Sequence, residues 1–149
     1  MSVRSGTSPL IVVDTNVVVA GLLTAHAESP VARVLDGMLE ASFRFALSEA
    51  LLAEYRTVLR RRSLRKAHGL TPDELDAILV ELAQHAIVLP PVPASPAPDR
   101  GDQHLWELLA ARQGLLLITG DKRLQQGDVM GHRVLSPATF VERWLPLSL

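Results

Sequence analysis

Cysteine is absent from the 149 residues. That excludes disulfides, an iron–sulfur cluster, a thiolate zinc site and a cysteine nucleophile. Aromatic residues make up only 4%, too few for a platform on which successive bases stack. A surplus of either charge is missing too: 15 basic residues face 16 acidic ones. Any nucleic-acid site must therefore come from local clustering. No apolar run approaches the roughly 20 residues that span a bilayer. The most apolar stretch, Leu10 to Leu23, is interrupted by Asp14 and Asn16. With Arg4 before it and Ala25-His26-Ala27 after it, this stretch mimics a secretory leader. A carboxylate inside the apolar region is costly to translocate, so a cytoplasmic protein is expected. The histidines at 26, 68, 85, 104 and 132 show no ligand spacing and read as surface or packing residues.

What is present is ordinary globular material, with 48% hydrophobic and 21% charged residues. A chain of this length suits one domain, over 1–149, and buries about 68–70% of its unfolded surface. Residues 1–9 read as a flexible N-terminal tail. Leu89 to Pro98 holds five of the ten prolines. It reads as an extended connector within the domain, because proline fixes φ and cannot donate to a ladder.

Continuous apolar runs predict buried strands at Leu10–Val13, Phe43–Leu47 and Leu115–Thr119, with shorter ones at Ala86–Leu89 and Arg133–Leu135. Helices are expected between them. Ser29-Pro30 opens one with the stripe Val31, Val34, Leu35, Met38, Leu39, and Ser48 caps another with Leu51, Leu52, Tyr55, Val58, Leu59. Thr71-Pro72-Asp73-Glu74 is a capping box. Asp102 starts a helix with Leu105, Leu108 and Leu109 inward, and Ser136-Pro137 opens the last, to about Trp144. Alternating elements with unalternating strands predict a three-layer α/β/α sandwich on a mainly parallel sheet. Ligands gather at the carboxyl ends of such strands.

Two of the apolar strands run into an aspartate, in Asp14-Thr15-Asn16 and Thr119-Gly120-Asp121. Each alone is accounted for by a helix cap or turn; together they mark one sheet edge. Asp102 is also explained by capping. Glu54 borders the apolar stripe of its helix, one turn from Leu51 and Val58, and so approaches the packing interface. Carboxylates gathered at one point repel, and a hard divalent cation resolves that conflict. Such a site activates water for in-line displacement at phosphorus.

In this order, Asp14-Thr15-Asn16-Val17, Ser48 to Tyr55 with Glu54, Asp102 at a helix start and Thr119-Gly120-Asp121-Lys122 resemble the PIN-domain family. The likeness runs from about Leu10 to Trp144 and is strongest to its VapC-type toxin branch. It implies an α/β/α fold and a metal-dependent endoribonuclease with Mg²⁺ or Mn²⁺ held by Asp14, Glu54, Asp102 and Asp121. Asn16 and Thr119 match supporting polar positions. The branch often carries a denser acidic run at the third position; here it is Asp99-Arg100-Gly101-Asp102, and Asp99 is a substitute for Asp102. The resemblance further implies an RNA substrate and a small antitoxin partner; apolar surfaces are expected to pair the chain into a homodimer, and no membrane association is expected.

A basic cluster, Arg56, Arg60, Arg61, Arg62, Arg65 and Lys66, has no intervening acid. If its helix continues, Arg61 lies two turns beyond Glu54 on the same side and offers a phosphate contact. Lys122 and Arg123 beside Asp121 extend the same surface. The plainer reading is a solvated helix end, since cations favour helix C-termini. Two other functions compete. One is a catalytically inactive PIN-like binding module. The other is a haloacid-dehalogenase-type phosphotransfer enzyme with Asp14 as nucleophile, which wants an aspartate where Asn16 stands. A dinucleotide-binding domain fails for lack of a glycine-rich turn after the first strand.

Overall fold

A computed structural model describes residues 9–145; residues 1–8 of the expected tail lie outside the described residues. The first strand, β1 (Leu10–Val13), is the centre of the fold. It pairs in parallel with β4 (Leu115–Ile118), Leu10 opposite Leu115 and Val13 opposite Ile118. The outer neighbour of β4 is β5 (Arg133–Leu135), also parallel. On the other side, β2 (Ala46–Leu47) pairs with β3 (Ile87–Val88). A parallel bridge, Ile11 to Phe45, joins this pair to β1. The order is therefore β3-β2-β1-β4-β5, with every pairing parallel. All eight residues of β1 and β4 are buried, as helices on both sheet faces require.

The helices are α1 (Thr15–Leu23), α2 (Pro30–Leu39), α3 (Glu49–Leu59), α4 (Arg62–His68), α5 (Pro72–His85), α6 (Gln103–Leu109), α7 (Lys122–Gln125) and α8 (Pro137–Trp144). The expected capping box at Thr71 and Glu74 forms in full. The valine-rich sequence of α1 gives little local reason for a helix. Asp14 starts it by accepting the Thr15 N–H, and Val17 and Val18 bury against the core. Gly21 lets α2 come close: a Cβ there would stand 2.7 Å from the Val31 carbonyl oxygen.

Three expectations need correction. The second strand is shorter than Phe43–Leu47, because Phe43 leaves the ladder to pack edge-on against Phe140, with ring centroids 5.0 Å apart. The helix bearing Glu54 does not reach Arg61. It ends at Leu59, and Arg61 becomes the cap position of α4. Its apolar stripe stops there, and four polar residues, three of them arginine, have nothing to bury. His68 closes the corner: its Nδ1 accepts the Leu70 N–H, so its Nε2 donates to the Leu59 carbonyl. Finally, Asp102 occupies the cap position of α6 but caps nothing. A 3₁₀ turn, Arg100–Asp102, precedes the helix, and Asp99 accepts the Gly101 N–H.

This strand order fixes where a site belongs. From β1 the chain runs outward to β2 and β3, then crosses back to β4 on the opposite side. The reversal lies between β1 and β4, and the crevice beyond the carboxyl ends of such a strand pair is where open α/β sheets bind ligands. Asp14 follows β1 directly, and Thr119, Gly120 and Asp121 follow β4.

Candidate functional site

Asp14 and Thr119 meet at this switch point. The backbone ladder extends one step further, with the Asp14 N–H on the Ile118 carbonyl at 2.9 Å. The Asp14 side chain accepts the Thr15 N–H through Oδ1 at 2.8 Å, and its Oδ2 accepts the Thr119 hydroxyl at 2.8 Å. Thr119 Oγ1 in turn accepts from Asn16 Nδ2 at 3.3 Å and from the Asp121 N–H at 3.0 Å. With both lone pairs engaged, its single proton points at Asp14. Asn16 is oriented as well. Its Oδ1 accepts the Gly120 N–H at 2.9 Å, which turns its amide nitrogen toward Asp14 Oδ2 at 3.3 Å. Gly120 leaves room for that contact, since a Cβ would lie 3.3 Å from Asn16 Oδ1. Beneath the site, Tyr55 of α3 donates to the Val13 carbonyl at 2.5 Å.

Asp121 caps α7, accepting the Arg123 N–H at 2.9 Å. Its carboxylate also receives the Arg123 guanidinium, from Nη2 at 3.2 Å and Nε at 3.4 Å. That contact holds Asp121 below the usual carboxylate range. The other two acids go the opposite way. Burial pushes Asp14 up, opposed by the hydrogen bonds from Thr119 and Thr15 and by the nearby His104 imidazole. Burial likewise raises Asp102, and the charges of Asp14, Asp99 and Asp121 raise it further. A hollow of about 420 Å³ opens between Asp99, Asp102, Trp106, Asp121 and Arg123.

The fold thus brings together Asp14, Asn16, Asp102, Thr119 and Asp121, with exposed Asp99 at the rim of the hollow. Glu54 makes no hydrogen bond to these residues among the described contacts. It is half-buried on α3, and the principal charges acting on Asp14 and Asp102 do not include it. Glu49 is exposed in the first turn of the same helix. The basic residues divide. Arg56 turns to α5 and pairs with Asp76 at 3.4 Å. Arg60, Arg61, Arg62, Arg65 and Lys122 are exposed. Sequence reasoning passed over His104, which acts on both Asp14 and Asp102. Its place two residues after Asp102 was the available signal.

A PIN-domain family model matches residues 10–123, a stretch that holds every one of these side chains. The chain belongs to the PIN-domain family. No individually curated protein matches it. PIN domains are in general nucleases and typically use divalent metals. The family match also sets aside the haloacid-dehalogenase alternative. Among the described residues, no helix is long and apolar enough to cross a membrane.

The donor set of this PIN domain is hard oxygen, the chemistry that suits Mg²⁺ or Mn²⁺. Among the described residues, no group of three or more acidic or histidine side chains is arranged to hold a metal ion. Mg²⁺ does not need one, because it keeps several waters and takes one or two carboxylates together with substrate phosphates. Two observations fit a hydrated cation here. Asp14 and Asp102 carry charge that burial leaves poorly compensated. Two buried polar atoms beside them, Thr15 Oγ1 and His104 Nδ1, have no partner among the described residues.

Proposed function

We propose that this PIN domain is a Mg²⁺- or Mn²⁺-dependent endoribonuclease, the toxin of a toxin–antitoxin pair, with a small antitoxin and a second copy of itself as partners. The observation that carries the nuclease reading is the Asp14–Thr119 lock at the β1–β4 switch point, with Asp102 and Asp121 close enough to shape its electrostatics. The toxin assignment rests on the order and spacing of the acidic motifs.

In this reading Asp14 and Asp102 would hold the cation, with Asp121 from the cap of α7 and Glu54 from α3 as the other acids of the set. A bound divalent cation lowers the pKa of water and offsets charge on the phosphate. The protein does the rest by position. Thr119 and Asn16 fix the Asp14 carboxylate through Oδ2, leaving no rotamer search at the moment of binding. The exposed arginines between Arg60 and Arg65 offer guanidinium contacts to the RNA backbone, and backbone contacts of this kind carry affinity without sequence preference.

The test is cleavage of a fluorescent RNA with and without Mn²⁺, together with melting of the protein across a Mn²⁺ titration. Asn at position 14 keeps an oxygen for the Thr15 N–H but turns its NH₂ on Thr119 and Asn16, so Asp14→Asn should fold with reduced stability and lose cleavage. At 100 times its Kd, a ligand stabilises by about 2.7 kcal/mol, or roughly 5–10 °C in Tm for a chain this size. That rise should appear in the parent and vanish in Asp14→Asn. A variant that cut RNA at the parent rate would sink the mechanism. The competing reading is a catalytically inactive PIN-like binding module. It would show RNA binding with neither cleavage nor a Mn²⁺-dependent Tm.

A further inference from the structure

Arg123 sits where a cation should. Its guanidinium grips the Asp121 carboxylate with two nitrogens, 3.2 and 3.4 Å away, while its backbone N–H caps from the same residue. The hollow is lined by Asp99, Asp102 and Asp121 together with Arg100 and Arg123, and among the described residues it is Arg123 whose guanidinium pairs with one of these acids. Asp99 and Asp102 also act electrostatically on this guanidinium. Yet the side chain is 83% exposed, and nothing but this ion pair holds it among the described residues. An exposed pair of this kind is weak and readily exchanged.

We propose that Arg123 is the resident counter-ion of the acidic hollow, leaving Asp121 when a divalent cation binds and turning to a phosphate of the RNA. The inference rests on the metal-dependent nuclease reading given above. Its physical basis is competition. A guanidinium and a divalent cation cannot both neutralise Asp121 at full strength, and the weaker, solvent-exposed partner yields. The side chain that yields is a flexible tether on a four-residue helix beside the site. Guanidinium binds phosphate as well as carboxylate, with the same planar fork. A released Arg123 therefore serves as a positioning residue, one that engages substrate only after the cation is in place. This ordering would keep RNA from occupying the hollow unproductively.

The experiment compares the full chain with Arg123→Gln and Arg123→Lys. Mn²⁺ binding is followed by calorimetry, without RNA, and cleavage is measured at saturating Mn²⁺. The exposed side chain leaves the fold untouched, and its backbone cap survives in both variants. Removing the competing charge should tighten Mn²⁺ binding by roughly two- to fivefold in Arg123→Gln, the range an exposed ion pair supplies. Cleavage by the same variant should nevertheless be slower, through a raised KM. Arg123→Lys should lie between the two on both measures, keeping the charge without the fork. The inference is overturned if Arg123→Gln binds Mn²⁺ no more tightly than the parent, or cleaves as well. A parent that takes up no Mn²⁺ at all overturns this inference and the metal reading together. A parent that binds beside an unchanged variant overturns this one alone.

Discussion

The hydroxyl of Thr119 lies 2.8 Å from the carboxylate of Asp14, joining residues 105 positions apart in sequence. Thr119 is fully buried and saturates its hydrogen-bonding capacity, with one bond donated and two accepted. Removing that hydroxyl takes one partner from Asp14 and from Asn16, which keep each other, and leaves the Asp121 N–H with none among the described residues. Thr119→Val, nearly equal in volume, should therefore destabilise the protein by about 1–3 kcal/mol. Thr119→Ser keeps the oxygen and should recover most of that. Urea unfolding of the three proteins measures both effects. A valine variant as stable as the parent would remove the lock from the account.

Tyr55 supports the same strand end from below. Burial, and secondarily the Asp14 charge, pushes its phenol well above the ordinary value of about 10. A phenol that loses its proton later in the fold than in the unfolded chain stabilises the fold while neutral. That contribution is whole below pH 10 and falls away as pH rises beyond it. Stability should therefore drop on the alkaline side in the parent, and drop less steeply in Tyr55→Phe. Tyr55→Phe should also cost about 1–3 kcal/mol near neutral pH, because the buried Val13 carbonyl loses its donor. Equilibrium unfolding from pH 7 to 11 separates the two effects.

Glu54 and Glu49 share α3 but not its environment. Five residues at about 100° each place them roughly 140° apart around the axis. Glu49 is exposed in the first turn, where a negative charge favours the helix dipole by about 0.3–1 kcal/mol. Glu54 is half-buried. Glu54→Gln should lower RNA cleavage and Mn²⁺ affinity, whereas Glu49→Gln should cost only marginal stability. If the pattern were reversed, Glu54 would drop out of the acidic set.

The arginine corner between α3 and α4 makes a separate prediction. Each phosphate contact on a single strand contributes about 0.7 to the slope of log K against log salt. Replacing Arg60, Arg61 and Arg62 with alanine should flatten the slope by up to about 2 for RNA binding. An unchanged slope would leave these residues as a solvated corner. Arg56 is spared from the set because Asp76 already engages it.

The sequence by itself determined most of the strands and helix caps and the two aspartates that follow β1 and β4. These features are local or periodic. A run of buried apolar residues, a Thr-Pro-Asp-Glu start and an acid after a strand are written within a few positions of chain. The same locality explains why the helical phase of Glu49 and Glu54 was legible. Tertiary structure decided the rest. The helical state of the valine-rich α1 depends on its cap and its burial, not on propensity. The break after Leu59 depends on where the core ends, so Arg61 left the face it was expected to share with Glu54. Asp102 looks like a helix cap in sequence, but a 3₁₀ turn rotates it away from that task and leaves its carboxylate to the hollow. The lock of Thr119 on Asp14 and the grip of Arg123 on Asp121 have the same origin. A side chain's charge and hydrogen-bonding capacity are fixed by its type, whereas its partners depend on which strand ends the sheet sets side by side.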